Sequence, residues 1–443
     1  MKSTVKKVLK KLPGFKKVSH KLTDLRTERD LLDALLQDAC RENIRLRLQL
    51  KKLSGQPIHV VFVCHRPAIW ESLHSVYDAM MADPSFKVTL VAIPNKKQLP
   101  GLGLNHQQYA SEGAEEFWKP YGCINGYNYE SDTWLDLQSL EPDYVFFQQP
   151  YNICMPPQYH SHEVSRYAKL CYVAYYGVLY TDDVYDECTP PDFMQDLSFF
   201  FTQNPMDDAY VRNRMQQVGA VNCQVINTGF PRYDRIDAYK SQPCNLWNSA
   251  DSFKMVWTPR WTTNEGNCHF FDFKDTFVDY CKHNPDVELA FRPHPQAFSE
   301  WNSTGELPEA EANIYKQNYE DSNMHLDQSG NYFPMLYSSD CLITDRSTIF
   351  LDYYCSGKPI IYCTSQSQHD AIFPQYLEGM YCVGSWQELE SVLDDLRNGI
   401  DPLQATRQRI IQENFTPLGD PAGVTILKCI KNDVPQPEER NKL

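Results

Sequence analysis

From residue 58 to residue 363 the chain repeats one arrangement: a short run of apolar and β-branched residues, a close that is polar or carries proline, then a stretch with helical spacing. IHVVFVC (58–64), VTLVAIP (88–94), DYVFFQQ (143–149), LCYVAYYG (170–177), LSFFFT (197–202) and QVINTGF (224–230) form a first series. KMVWTPRW (254–261), VELAFR (287–292), CLITD (341–345) and PIIYC (359–363) form a second. Helical patterns cover about 70–81, 270–283, 332–338 and a stretch from about 348. Strands separated by helices are joined by crossovers, which makes neighbours parallel and puts helices on both sheet faces. A turn-rich gap, Ala238 to Ser252, divides the two series. The expectation is an α/β chain of two Rossmann-like domains, 57–238 and 252–431, the second closed by helices over 385–431 that can pack back across the hinge.

Ahead of this body, residues 1–53 follow a different rule. Two heptad series run together, Leu22, Arg29, Leu36, Asn43, Leu50 and Leu25, Leu32, Ala39, Leu46, Leu53, a pattern that predicts a coiled coil. Asn43 at an a-type position suits a parallel homodimer; a single helix packed on its own body is the competing reading. In MKSTVKKVLKKLPGF the apolar Val5, Val8, Leu9 and Leu12 recur at helical spacing among lysines, as in a helix lying on anionic lipid. A merely solvated basic tail fits the same residues. The segment holds 15 Lys and Arg against 6 Asp and Glu, so it carries +9, and the net −15 of the whole leaves −24 on the rest. Nucleic acid is a poor partner for so acidic a body, whereas a membrane surface suits the basic head.

Composition narrows the setting further. The 15 cysteines are odd in number and form no Cys-x-x-Cys pair, which fits free thiols in a reducing cytoplasm. No apolar run approaches the length of a membrane span. At 443 residues, two domains and an appendage are expected.

Candidate chemistry collects where strands end. Arg292 and His294 follow the run 287–291, with Pro293 and Pro295 ending the strand and stiffening the loop. Ligands of open α/β sheets bind outside the strands' carboxyl ends, so a fixed cation beside an imidazole points to an anion or phosphate; an ordinary turn with a solvated histidine is the alternative. In CLITDRSTIFLDYYCSGKPIIY (341–362), Asp345 ends a strand while Ser347 and Thr348 open a helix, a place where unpaired amides and hydroxyls receive anions or simply cap the helix. Arg260 ends a third strand. Together Arg260, Arg292, His294, Ser347 and Thr348 suggest a diphosphate clamp, with a protonated His294 neutralising a leaving group. Asp352 is a candidate for the ribose. No Gly-x-Gly-x-x-Gly, Walker-type or zinc spacing is present, no cofactor is called for, and fixed cations with helix dipoles would take the place of a metal.

With these stretches in view, and with FVCHRPAIWESLHSVYDAMMADPSFKVTLVAIP, PDYVFFQQPYN, INTGFPRYDRI, VWTPRWT and AFRPHP beside them, the chain resembles the CDP-glycerol glycerophosphotransferase family over most of 58–430. These are membrane-associated enzymes of glycosyltransferase-B fold that make teichoic-acid-like and capsule polymers. The resemblance implies that His294, Ser347 and Thr348 contact the donor's phosphates. The family's His-Gly-Thr-Pro stretch, whose histidine is its general base, is matched here by AYYGVLY, with Tyr176 before Gly177. An unperturbed tyrosine is a poor base at neutral pH, so Tyr176 suits acceptor binding, and His65, Asp182 or Asp183 become substitute bases. Arg260 stands where close relatives often carry histidine.

The resemblance implies transfer of glycerol phosphate, or a related polyol phosphate, from a CDP-linked donor to a hydroxyl of a surface glycan or polymer at the inner face of the cytoplasmic membrane, with release of CMP. Two other readings stay open: a nucleotide-sugar glycosyltransferase or sugar 2-epimerase on the same fold, and a catalytically silent scaffold brought to membranes by its coiled coil.

Overall fold

A computed structural model describes residues 15–98, 107–110, 113–176, 188–264, 266–320, 322–329, 331–364, 374–415 and 419–433. The basic head before residue 15, Gly177, Asp182 and Asp183 lie outside the described residues.

Two separate parallel sheets form the body. Strands β1 (Ile58–Cys64), β2 (Phe86–Ala92), β3 (Ile124–Asn125), β4 (Tyr144–Phe147), β5 (Lys169–Val173), β6 (Phe199–Thr202) and β7 (Gln224–Asn227) make the first, in the order β7-β6-β5-β4-β1-β2-β3. Strands β8 (Phe253–Thr258), β9 (Val287–Phe291), β10 (Met324–Leu326), β11 (Cys341–Thr344), β12 (Ile360–Cys363) and β13 (Tyr381–Val383) make the second, in the order β10-β9-β8-β11-β12-β13. Every residue of β1 is buried because both faces are covered: Val60, Phe62 and Cys64 enter one core and Val61 and Val63 the other. That explains the near-continuous apolar runs. β3, β10 and β13 are edge strands of two or three residues, too short to announce themselves in the sequence.

Five helices matter below: α1 (Phe15–Ser54), α2 (Glu71–Ala82), α3 (Phe270–His283), α4 (Ile349–Tyr354) and α5 (Ala422–Asp433). The closing helices do not all cover the second sheet. Trp386–Arg397 packs there through Leu389 and Leu393, but α5 returns to the first core with Ile426 and Ile430. Its start is held by Asp234, whose carboxylate accepts the N–H of Ala422 and of Gly423, both at 2.8 Å, and the Ser75 hydroxyl of α2 at 2.7 Å. Gly423 lies so close to α2 that a Cβ would stand 2.5 Å from the Ser75 carbonyl oxygen, so only glycine fits this crossing. Within the turn-rich gap Tyr239 stacks on Phe333, their rings 4.0 Å apart, so the chain meets the second half at the start of that gap.

One face of α1 docks on the body. Ile44 and Leu48 are buried in the first core, and Arg47 (3.2 Å) and Lys51 (2.6 Å) bind the fully buried Asp143, which also accepts the N–H of His59. Two cations and a backbone donor offset the cost of burying that carboxylate. The packed-helix reading therefore holds for this face. The heptad face points elsewhere, with Leu25, Leu32, Leu36, Leu46, Leu50 and Leu53 all exposed.

Candidate functional site

β9, β8 and β11 are adjacent and parallel, so the loops that follow them leave one edge side by side, roughly 5 Å apart. The sequence places Arg260, His294 and Ser347 in three distant segments; the sheet order makes them neighbours. A cross-strand contact between the Thr258 and Thr344 hydroxyls (2.8 Å) ties the two strand ends.

Asp345 organises the edge. Its Oδ2 accepts the N–H of Arg260 (2.7 Å) and of His269 (3.0 Å), and its Oδ1 meets Nδ1 of His269 at 2.8 Å. The side chain is 1% exposed and its oxygens are taken by protein donors. Asp345, a donor-binding candidate by its place at a strand end, instead spends its oxygens on the loop from Pro259 to His269, which it holds so that Arg260 stands at the strand end.

His269, which the sequence reading passed over, caps the start of α3 and is itself buried. Burial works against its charge, but the hydrogen bond and charge of Asp345, with Asp272 behind, outweigh it and raise the pKa above the ordinary 6.5. A folded value above the unfolded one stabilises the protein fully below pH 6.5, and that contribution is lost as pH rises through the folded value. The urea midpoint of the wild type should therefore decline as the pH rises above 6.5, and the decline should flatten in His269→Gln.

His294 is exposed and stacks on Trp261, with ring centroids 5.6 Å and planes 27° apart. Its Nδ1 accepts the N–H of Gln296 at 3.2 Å, which leaves the neutral ring's proton on Nε2. Partial desolvation, and after it the Arg260 cation, lower its pKa below 6.5. The neutral ring of the free protein thus offers an Nε2–H donor, and a bound diphosphate would draw the pKa back up toward the imidazolium.

Arg292 is less available than expected. It pairs with Asp327, donates to the Ser329 carbonyl at 3.0 Å and lies over the Tyr332 ring at 4.8 Å. Ser347 and Thr348 do stand at the start of α4, with Ser347 Oγ accepting from Ile349 N at 3.4 Å. At six residues α4 supplies little macrodipole, so the hydroxyls carry that corner. Asp352 does not face a ribose. It is buried on α4, its Oδ2 bound by Arg232 (2.7 Å) and the Tyr332 hydroxyl (2.8 Å). Burial pushes its carboxyl upward against the pull of Arg232. Because Arg232 follows β7, this pair bolts the two halves together directly beneath Tyr332 and Arg292.

At the carboxyl edge of the first sheet, His65 follows β1 and is 1% exposed, its Nε2 2.8 Å from the Gln149 side-chain oxygen and its N–H bonded to Gln148. Such burial suits a framework residue better than a base meeting substrate. Tyr176 is half-buried; its hydroxyl lies 3.5 Å from the Cys188 carbonyl as donor, and its own carbonyl accepts from Gln203 at 2.5 Å. A phenol that donates is poorly set to take a proton. An open groove at the opposite, amino edge of the second sheet, between Lys254, Asp340, Arg397 and Asp401, lies away from all these loops.

Residues 201–370 match the family described as CDP-Glycerol:Poly(glycerophosphate) glycerophosphotransferase. Over that span the chain is similar to this glycerophosphotransferase family. The span takes in Arg260, Arg292, His294, Asp345, Ser347, Thr348 and Asp352. No curated protein sequence matches the chain. Among solved structures it is similar to the wall teichoic acid polymerase TagF, at 14% identity and TM-score 0.52 over 91% of this chain and 98% of that one. It is also similar to the UDP-GlcNAc 2-epimerase from Neisseria meningitidis bound to UDP-GlcNAc (12% identity, TM-score 0.56, 85% and 100% covered). The S. aureus MnaA–UDP co-structure is a further match (11%, 0.54, 84% and 96%). These likenesses show the fold, the glycosyltransferase-B arrangement of two parallel sheets.

Trp261 and His269 were the functional neighbours that motif reading missed. The only available signals were an aromatic beside Arg260 and a histidine just ahead of an amphipathic helix.

Proposed function

We propose that the protein transfers glycerol phosphate, or a related polyol phosphate, from a CDP-linked donor to a hydroxyl of a surface glycan or teichoic-acid-like polymer. The family match across the clustered loops after β8, β9 and β11 carries this reading. The acceptor oxygen attacks the distal phosphorus in line, the new O–P bond forms as the P–O bond to CMP breaks, and the hydroxyl proton is lost as CMP leaves. Arg260 and the Nε2–H of His294 meet the charge growing on the departing phosphate, Ser347 and Thr348 orient the diphosphate, and Asp345 holds Arg260 in place. Arg292, neutralised by Asp327, serves more to position the His294 loop than to add charge.

The work site is the inner face of the cytoplasmic membrane, reached through the basic head; among the described residues no helix is long and apolar enough to cross a membrane. The similarity to epimerase structures supports a second reading, a nucleotide-sugar enzyme on the same fold. Incubating the purified protein with CDP-glycerol, CDP-ribitol and UDP-sugars, each with and without polymer acceptor, separates the two. Acceptor-dependent CMP release supports the transferase, UDP-sugar turnover supports the second reading, and no turnover of any donor leaves the silent scaffold.

A further inference from the structure

The heptad face of α1 is built but bare. Leu25, Leu32, Leu36, Leu46, Leu50 and Leu53 are 47 to 66% exposed, and they form one stripe. The residues that dock α1 on its own body, Ile44, Leu48 and Lys51 among them, lie roughly 110° further round the helix at 3.6 residues per turn. The body therefore uses one face and leaves the stripe clear of itself. So long a row of exposed leucines is unusual on a folded surface and marks an interface.

We infer that this stripe is closed by the same stripe of a second copy, the two helices running parallel and in register. Three observations select that occupant. Knobs fit into holes only when both helices carry the same 3.5-residue repeat, which a second copy supplies by construction. Asn43 is exposed at an a-type position inside the stripe, where an amide facing apolar side chains or lipid is unfavourable. A parallel in-register copy places another Asn43 opposite it, so that each amide finds a partner. Finally, each leucine carries on the order of 100 Å² of apolar surface; with Leu31 and Leu35 at the margin the stripe offers on the order of 800 Å² per chain, close to the roughly 800 Å² per partner of a standard interface. The pairing brings two bodies to one membrane patch with both basic heads at the same end. It does not depend on which donor the enzyme uses.

Sedimentation velocity on the full chain tests this. Wild type should sediment at twice the chain mass at micromolar concentration. Leu32→Glu/Leu36→Glu should sediment at one chain mass with a nearly unchanged melting temperature, because these side chains are about half exposed or more and belong to none of the described cores. Asn43→Leu should associate more tightly and add species larger than two chains, since the register device is lost. Wild type at one chain mass throughout the concentration range would overturn the inference, as would a double variant that still dimerises. So would a wild type that stays monomeric yet binds phosphatidylglycerol vesicles through these leucines, which would assign the stripe to lipid.

Discussion

Replacing His294 by alanine is expected to lower turnover by about 100-fold or more while leaving the melting temperature nearly unchanged. The side chain is exposed, and its one intramolecular hydrogen bond is a local acceptance from Gln296, so little folding energy rests on it. Its stack on Trp261 fixes the ring's plane, and Pro293 and Pro295 fix the loop, so the Nε2–H waits in one orientation for the charge that develops on the departing phosphate. Losing one such preorganised donor costs on the order of 10² to 10³ in turnover. Because the free imidazole titrates below 6.5, raising the pH from 6 to 8 should not remove the donor in the free enzyme; any alkaline loss should appear in the donor complex, where the diphosphate favours the charged ring. Turnover and donor affinity of His294→Ala, measured beside its melting temperature, decide the matter. Wild-type turnover would remove His294 from the chemistry, and a steep fall in melting temperature would make it a structural residue.

Arg232→Ala is expected to be the most destabilising single change, at about 3–5 kcal/mol, or roughly 5–10 °C in melting temperature. Arg232 bridges Asp352 and Tyr332 from the far side of the two-sheet body, and its removal leaves Asp352, only 6% exposed, without its cation. The penalty comes from the orphaned charge, not from the net worth of the pair, so Arg232→Met combined with Asp352→Leu should recover most of it. Turnover should fall even where the protein stays folded, since Tyr332 supports the guanidinium of Arg292 at the edge of the site. Calorimetry of the single and double variants checks this. A single variant as stable as wild type would show that the pair is dispensable.

The amino-acid sequence by itself determined the strands other than the short edges β3, β10 and β13, their parallel pairing and the two-series plan, because a strand buried on both faces must be apolar at nearly every position and that signal is local. It also marked the strand ends that carry Arg260, Arg292, His294 and Ser347, since prolines and polar residues must stop a buried strand where water begins. What it left open was which of these ends meet. Only the order β9-β8-β11 made three distant loops adjacent. Roles turned on the same point. Asp345 and Asp352 look alike in sequence, as acids near a phosphate-like loop, yet one folds the Arg260 loop and the other is sealed against Arg232; a carboxylate's function depends on which donors surround it, and those donors come from residues 20 to 120 positions away. In α1 the heptads were legible, but the docking face was not, because Ile44, Leu48 and Lys51, though spaced at i, i+4 and i+7, mix two apolar residues with a cation and acquire meaning only when Asp143 and the first core stand beside them. Periodicity is written along one chain, whereas partnership is decided between segments that only the tertiary structure brings together.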